Sequence, residues 1–393
     1  LVALVVTIVV LLILAGISLN LVLGENGIIT KAQEARDKTE QARINTEKSM
    51  NSLEQELSNY VNKADSGNGG NSGGGSSSGS DYDPASDGVT IPEGYYYVGG
   101  TKAKGIVISD NVADKELDKG KENVRRDLSG NQWVWVPVET PSSLYTTVDA
   151  GQALSGSTGV KTTKYTNTII SGQTRVKPGD TSSHREPDLV LENGTSYDYA
   201  KYATAGFSSL VNMAEVMKSD YEEMIASLEK YKGFYIGRYE LTANGEKTGA
   251  TQNKNWYTLY KNCTTLAVGS KVKTRMIWGL QWDATCNWLS NSDPAYSITD
   301  SSTWGNYSNN TADGHGRPQN TGFSESWKAN NIYDFAGNSS EWTQEAYDTD
   351  RRACRGGYFN DDGSSYPASF RGSLFPASAG SDVGSRPTLY LIP

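Results

Sequence analysis

The sequence has few of the side chains on which most enzymes and metal sites depend. Its 393 residues include 3 cysteines and 2 histidines. The cysteines Cys263, Cys286 and Cys354 are too far apart for a paired metal motif or a disulfide framework. We expect three buried thiols, with one disulfide and one free thiol as the alternative. Positive charge is also scarce, because 36 basic residues face 45 acidic ones, and nucleic acid is therefore not an expected partner.

Catalytic motifs are missing as well. His184 and His315 lie in the polar strings TSSHREPD and ADGHGRPQ, away from any cysteine and outside an HxxxH or GxSxG setting. The glycine-rich strings do not join a strand to a helix, so they do not form phosphate loops. No pair of carboxylates stands out for general acid–base work. The sequence therefore predicts a protein that is not an enzyme.

The first 23 residues carry no charge, and about 20 apolar residues are enough for a helix to span the hydrocarbon layer of a membrane. Residues 29–61 continue as a charged helical pattern with a thin apolar stripe. Composition alone is compatible with a plain membrane anchor followed by a stalk. Residues 63–88 are mostly glycine, serine, asparagine and aspartate, which predicts a flexible linker.

Residues 89–393 carry nearly all of the 9 tryptophans and 23 tyrosines, which predicts a globular head. Short runs rich in β-branched and aromatic residues predict strands at 130–139, 233–241 and 275–282. Helical patterns follow at 209–231 and 280–290. This mixture predicts an α+β head with short strands and irregular loops.

The order of residues at the amino end favours one interpretation of the apolar helix. LVALVVTIVVLLILAGISLN, followed by GENGIITKAQEA, resembles the mature amino end of type IV pilin-like proteins of Gram-positive bacteria. The resemblance covers residues 1–62 and implies a helix that is cut from a leader and held in the membrane before assembly. It then packs with copies of itself in the core of an extracellular, cell-surface filament. Ala3 stands where many pilins carry a glutamate, so the usual charge pairing during assembly is not expected.

The densest polar signal of the head is NNIYDFAGNSSEWTQEAYDTDRRACRGGYF, residues 330–359. Its oxygen donors stand around a glycine turn, and carboxylates with main-chain carbonyls are the ligands that calcium prefers. The alternative is that Asp334 and Glu341 only cap a turn while Trp342 fills the core. The string, with RGG and a terminal SRPTLYL, is similar to the formylglycine-generating enzyme family, whose fold is a variant of the C-type lectin fold. This resemblance implies calcium ligands at Asp334, Gly337, Ser339 and Glu341.

The oxidase members of that family also need two cysteines beyond the RGG turn. No cysteine follows Gly357 here, and Cys354 precedes the turn alone. We therefore expect a non-catalytic head. A membrane-anchored enzyme of the formylglycine-generating type is the alternative.

The carboxyl end, residues 354–393, resembles lectin-fold proteins that retroelements diversify. Gly384, Ser385, Arg386, Pro387 and Leu389 fit the fixed strand of that group. The resemblance implies a variable ligand-binding region, whose candidate positions are Tyr358, Phe359, Asn360, Asp361, Phe370, Gly372, Ser373, Leu374, Phe375, Ser378, Ala379, Gly380, Ser381, Asp382 and Val383.

The same residues support a binding role on composition alone. Aromatic side chains interleaved with glycine, serine, aspartate and asparagine are typical of antibody-like contact surfaces. The alternative is that the aromatic residues are core positions of two closing strands, with Tyr366 and Tyr390 the best candidates for burial. We predict a filament subunit whose head binds a protein or glycan on another surface. A purely structural pilin, whose head only coats the filament, is the remaining alternative.

Overall fold

The structure is a computed structural model that describes residues 82–141, 199–208, 210–242, 253–347 and 351–393. The predicted pilin-like helix over residues 1–62 and most of the predicted linker lie outside these residues. Residues 82–88 of that linker adopt a defined turn. The Asp83 side chain accepts from the Ala85 N–H at 3.0 Å, and Tyr82 packs against Tyr97 with ring centroids 5.9 Å apart. The head therefore includes residues from Tyr82 onward.

One sheet of the head has six strands: β1 (Tyr96–Gly99), β2 (Val107–Ser109), β3 (Gln132–Pro137), β4 (Gly233–Gly237), β5 (Val272–Met276) and β12 (Pro387–Leu391). Their order is β1-β2-β3-β4-β12-β5, and every neighbouring pair is antiparallel. The last strand lies between two strands from the middle of the chain, so the carboxyl end is an interior strand of the sheet.

A second sheet of four strands has the order β10-β9-β8-β11 and contains one parallel pair, β8 with β11. A short two-stranded ladder, β6 with β7, precedes it along the chain. These strands are β6 (Lys328–Ala329), β7 (Ile332–Tyr333), β8 (Ser340–Ala346), β9 (Arg352–Arg355), β10 (Arg371–Leu374) and β11 (Val383–Ser385).

Three α-helices belong to the described residues: α1 (Leu210–Tyr231), α2 (Trp256–Cys263) and α3 (Gly279–Ser292). Helix α1 packs on β4 and β12 through one buried stripe with helical spacing, formed by Met213, Met217, Tyr221, Met224 and Leu228. Helix α2 begins at a cap, where the Asn255 side chain accepts from the Thr258 N–H at 3.0 Å. None of the helices in the described part of the chain combines the length and apolarity that a membrane span requires.

Both faces of the six-stranded sheet are buried, and β3 shows why. Trp133 and Trp135 point into one apolar cluster, whereas Val134 and Val136 point into the other. Because successive side chains of a strand alternate between faces, the run WVWV supplies both cores at once. The larger cluster lies on the side of α1, α2 and α3.

The predicted mixture of strands and helices is confirmed at this coarse level, with strands outnumbering helices in the described residues. Strands β3 and β4 and helix α1 lie where the sequence patterns predict them. The strand and helix patterns predicted at 275–282 and 280–290 overlap, and the structure separates them: β5 ends at Met276, and α3 begins at Gly279, which confirms the predicted helix. The Gln281 side chain accepts from the Trp278 N–H at 3.1 Å and so caps this helix. All three cysteines are buried free thiols, as expected.

Candidate functional site

The predicted calcium loop is a tight turn between β7 and β8. Asp334, Gly337 and Asn338 have positive φ angles of 54°, 72° and 59°. Gly337 is the most constrained of the three, because a Cβ atom there would lie 2.1 Å from the carbonyl oxygen of Asn306. Its N–H donates to the Gly356 carbonyl at 2.8 Å. The turn is therefore packed tightly against the chain on either side of it.

Glu341, one of the predicted ligands, forms a buried ion pair with Arg386. The guanidinium Nε lies 3.1 Å from Oε1 and 3.0 Å from Oε2, and Nη2 lies 2.6 Å from Oε1. Neither side chain is exposed by more than 1%. Arg386 also donates to three main-chain carbonyls, those of Gly237, Tyr333 and Asp334, at 2.9 to 3.1 Å.

A third acidic side chain, Glu240, lies beside this pair and is not identified by any sequence motif. Its Oε2 accepts from the Asn338 side-chain amide at 2.6 Å, and its Oε1 accepts from the Ser339 N–H at 3.1 Å. Burial raises the pKa of Glu240 well above its ordinary value, and the nearby carboxylates of Asp334 and Glu341 raise it further. Glu240 reaches this pair because it follows β4 in the chain.

The Asp334 carboxylate binds to residues 321–322, a segment that Glu341 does not contact through a hydrogen bond among the described residues. Oδ2 accepts from the Gly322 N–H at 2.6 Å and from the Thr321 hydroxyl at 3.0 Å. Oδ1 has no hydrogen-bond partner among the described residues. Burial raises the pKa of Asp334, although Gly322 and Arg386 act in the opposite direction.

The four predicted calcium ligands are therefore neighbours in space but do not present a common set of free oxygens. Arg386 binds both carboxylate oxygens of Glu341, and Asp334 Oδ2 accepts from Gly322, which leaves Asp334 Oδ1 as the one carboxylate oxygen of the set without a partner among the described residues. Within the described residues, no group of three or more histidine, cysteine, aspartate or glutamate side chains is arranged to hold a metal. These residues do not fit calcium as they stand, and the calcium site stays a prediction from resemblance.

The candidate ligand-binding residues lie in and beside two loops that flank β10. The first loop (356–370) joins β9 to β10, and the second (375–382) joins β10 to β11. Fourteen of the fifteen candidates are exposed or half-buried. The exception is Val383, which is 2% exposed and belongs to the apolar core. A binding role for Val383 would therefore have to act through packing.

Both loops are attached to the turn that contains the predicted calcium ligands. The Phe359 N–H donates to the Asn338 carbonyl at 3.1 Å, and the Ser340 N–H donates to the Asp382 carbonyl at 2.9 Å. Two segments more than 20 residues apart in sequence are thus held by three consecutive residues, 338–340. The buried Glu240 accepts from Asn338 and Ser339, and Glu341, which follows Ser340 in the chain, is paired with Arg386. This combination, two loops on one buried polar turn, is the candidate functional site, and we call it the loop platform.

Aromatic side chains form two pairs within the first loop. Tyr358 and Phe359 meet edge to face with ring centroids 5.3 Å apart, and Tyr366 and Phe370 do so at 4.8 Å. Tyr366 is 40% exposed, so its predicted burial is wrong, whereas the predicted burial of Tyr390 is confirmed at 1%. Tyr390 is on β12 inside the sheet, and Tyr366 is in a loop, where its ring contacts that of Phe370.

The negative charge of Asp382 acts on Asp361, an acidic residue of the other loop of the loop platform. The Asp361 carboxylate accepts from the Tyr358 N–H at 3.1 Å. Burial raises the pKa of Asp361 to about 6, and the negative charge of Asp382, on the other loop, raises it as well. The two loops are therefore close enough to form one electrostatic surface.

The strands that carry the loops are held by a second buried ionic network. Arg371 on β10 donates to Glu345 on β8 at 2.8 Å, and Arg355 on β9 pairs with Asp283 on α3. The side chains of Arg355, Asp283 and Glu345 have no exposed area. The sequence patterns do not identify this network, because its members are up to 88 residues apart.

The described part of the head also contains a small recess beside Glu240, with about 40 Å³ of open space. Trp133, Tyr239 and Pro387 contribute to its walls. Pockets that enclose a small-molecule substrate have volumes of roughly 300 to 1,000 Å³. This recess is therefore too small for such a ligand.

Comparison with known proteins identifies no family. The chain matches no protein-family model, and no curated protein matches it. Among solved structures, it is similar to Treponema denticola variable protein 1, with 16% identity, a TM-score of 0.30 and coverage of 41% of this chain and 85% of that one. CarF (14%, TM-score 0.31, 41% and 88%) and PvdO from Pseudomonas aeruginosa (17%, TM-score 0.30, 41% and 82%) are similar to the same extent. At TM-scores this low, the similarities carry no argument about activity.

We predict that Gly337→Ala destabilises the head much more than Gly88→Ala does. Both glycines have φ near +72°, but a Cβ atom at Gly88 would meet nothing within 4 Å. Left-handed strain alone costs about 1 to 2 kcal/mol. The clash with Asn306 brings the loss at Gly337 to about 3 kcal/mol or more. Urea unfolding of the full chain measures both values, and equal losses would contradict the tight packing of this turn.

We also predict that Asp382→Asn lowers the pKa of Asp361, because it removes a nearby negative charge. Asp361 holds its proton more tightly in the folded protein than in the unfolded chain. Its ionisation between about pH 4 and pH 6 therefore lowers the free energy of unfolding. An NMR titration of the Asp361 carboxyl carbon measures the shift. The neighbouring Asp362, whose Oδ1 accepts from the N–H groups of Ser364 and Ser365, provides a control, since Asp362→Asn should leave the Asp361 midpoint in place.

Proposed function

We propose that the protein is a subunit of a type IV pilus-like filament and displays a non-catalytic head that binds a ligand on another surface. The loop platform is the observation that carries the binding part of this proposal. It presents fourteen exposed or half-buried candidate residues, eleven on the two loops and three on β10 between them, and both loops are attached to one buried turn. Binding residues are commonly found on loops that a rigid scaffold positions.

The chemistry of the loop platform suits recognition. Tyr358, Phe359, Phe370 and Phe375 supply large, stiff contact area, and the serine, asparagine and aspartate residues around them supply adaptable hydrogen bonds. The aromatic pairs within the first loop fix part of its shape before any ligand arrives. A partly formed surface loses less conformational entropy on binding. The ligand is a protein or a glycan carried by another cell or particle.

The non-catalytic part of the proposal is supported by the state of the thiols. Burial raises the pKa of Cys263 and of Cys354 to about 12, and it also raises the pKa of Cys286. The thiolate is the reactive and metal-binding form of cysteine, so these side chains are poor nucleophiles and poor ligands at neutral pH. Together with the absence of cysteine after Gly357, this favours a binding head over an oxidase.

The filament part of the proposal depends on the amino-terminal sequence. Apolar side chains of residues 1–23 would be buried between copies, and apolar burial contributes about 25 cal/mol per Å². The helix would lie in the membrane before assembly and in the filament core afterwards. Copies of this chain are therefore its first partners, and the filament would be extracellular.

Electron microscopy of cells that produce the full chain tests the filament. We expect thin surface filaments that bind gold-labelled antibodies raised against the head. Leu12→Lys places a charge in the apolar run, at a cost of about 3 kcal/mol in a membrane-like environment, and should abolish them. Ser58→Lys adds the same charge in the charged segment and should preserve them. Absence of filaments from cells with the unchanged, exported chain would contradict the proposal.

Binding of the purified full chain to a glycan array and to a panel of bacterial cells tests the head. We expect Tyr358→Ala to reduce retention on any positive surface about tenfold, which is typical of the loss of an aromatic anchor. Phe323→Ala is the control, because Phe323 is an exposed aromatic residue (47%) outside both loops. Equal losses in the two variants would argue for non-specific adhesion.

Deep sequencing of the last 40 codons within one culture tests diversification of the loop platform. We expect changes to concentrate at the exposed candidate positions. The codons of the buried residues Gly384, Ser385 and Arg386 lie in the same amplified fragment and serve as the internal control. A uniform rate across the fragment would favour a head that is fixed in sequence.

A further inference from the structure

The oxygen atoms around Arg386 form a closed cage. Five of them lie within 3.1 Å of its guanidinium nitrogens: both carboxylate oxygens of Glu341 and the carbonyl oxygens of Gly237, Tyr333 and Asp334. All three nitrogens of the group take part. Carboxylate and carbonyl oxygens are also what calcium prefers, but calcium needs six to eight of them at about 2.3 to 2.6 Å. The same oxygens therefore cannot bind the guanidinium and a calcium ion at the same time.

The cage overlaps the calcium site that the resemblance implies. Glu341 is a member of both sets, and its two oxygens are already shared with Arg386. Asp334 gives Arg386 its carbonyl oxygen, while only Oδ2 of its carboxylate accepts from Gly322 and Thr321 and Oδ1 has no partner among the described residues. A calcium ion at this turn would have to displace a guanidinium that has no exposed surface.

The cage also connects distant parts of the head. Gly237 ends β4, Tyr333 ends β7, Glu341 is on β8, and Arg386 lies between β11 and β12. The guanidinium thus joins the six-stranded sheet to the four-stranded sheet. Its partner Glu341 comes directly after residues 338–340 in the chain, and those residues hold both loops of the loop platform.

We propose that Arg386 is the built-in cation of this turn, so that the head folds and presents the loop platform without calcium. The consequence for binding rests on the proposed function. The ligand is recognised by side chains of the two loops, through aromatic contacts and hydrogen bonds. Hydroxyl groups bridged by a calcium ion are not part of the contact.

Calcium titration of the purified full chain is the first test. In isothermal titration calorimetry, we expect calcium chloride to give the same heat with the unchanged protein and with Glu341→Gln. The thermal midpoint should agree within about 1 °C between EDTA and 5 mM calcium chloride, since a ligand stabilises only a state that binds it. Stoichiometric calcium uptake that is lost in Glu341→Gln would overturn the inference.

Removal of the guanidinium is the second test. Arg386→Ala leaves the Glu341 carboxylate and three carbonyls facing each other with no cation. We expect a lower thermal midpoint in EDTA, and 5 mM calcium chloride should raise it by about 3 °C or more, a shift typical of a ligand well above its dissociation constant. If calcium leaves the midpoint of the folded variant unchanged, the cage is not a cation site and the inference fails.

Arg238 offers a matched control. It is equally buried and donates to four oxygens, those of Val124, Arg125, Asn331 and the Gln132 side chain, all of which are neutral. Arg238→Ala should lower the thermal midpoint without any response to calcium. If Arg386→Ala does not fold, Arg386→Lys retains a positive charge. Its midpoint should lie below that of the unchanged protein and should not respond to calcium, and a rise with calcium would overturn the inference.

The array experiment separates this inference from the proposed function. Retention that is equal in EDTA and in calcium chloride supports both. Retention only in calcium chloride overturns the inference and leaves the binding function intact. If the head is retained on no surface under either condition, the binding function fails, and the calcium titration still decides the role of Arg386.

Discussion

The buried pair of Arg386 and Glu341 is the interaction on which the architecture of the head depends. Burying two ions costs several kcal/mol each, and the cost is recovered only if the remaining donors and acceptors are also satisfied. Here the three carbonyls of Gly237, Tyr333 and Asp334 accept the remaining hydrogen bonds of the guanidinium. Loss of one member of such a pair typically costs about 3 to 5 kcal/mol, a large part of the total stability of a domain.

A second buried ionic network connects α3 with β8, β9 and β10 of the four-stranded sheet, although Glu345 Oε2 in it has no hydrogen-bond partner among the described residues. Arg355 and Arg371, on β9 and β10, face Asp283 and Glu345. The two networks fix strands β8 to β12 from inside, through charge and hydrogen bonding in addition to apolar contact. The loops between those strands therefore do not have to supply stability themselves. A surface of this kind tolerates glycine, serine and asparagine, which pack poorly and would weaken a conventional core.

Local patterns in the sequence predict local structure well. The alternating run WVWV gives β3, and buried residues at helical spacing give α1. The run RMIWGLQW fits both a strand and the start of the predicted helix, because apolar residues that are buried on every side have the same pattern in a strand and in a helix. The capping contact between Gln281 and Trp278 decides between them, and it depends on side-chain geometry that hydrophobic periodicity does not report.

Sequence patterns identify only part of the candidate site, because they too report only on residues that are close together in the chain. Asp334 and Glu341 stand out because they are close together in one string. Their controlling partners are remote, since Arg386 is 45 residues beyond Glu341 and Glu240 is 98 residues before Asn338. No spacing rule connects such positions. The string therefore predicts a calcium loop, and only the folded chain shows that an arginine already occupies its oxygens.

The loop platform by itself would form a small contact. Most of its residues are half-buried, and its aromatic rings spend part of their area on each other. If the proposed filament displays many copies on flexible linkers, weak contacts combine, because each further binding event takes place at a high effective concentration. Individual heads can then accept changes at single loop positions without loss of attachment. A fixed ionic interior, weak variable loops and repeated display are thus mutually consistent requirements for one adhesive surface.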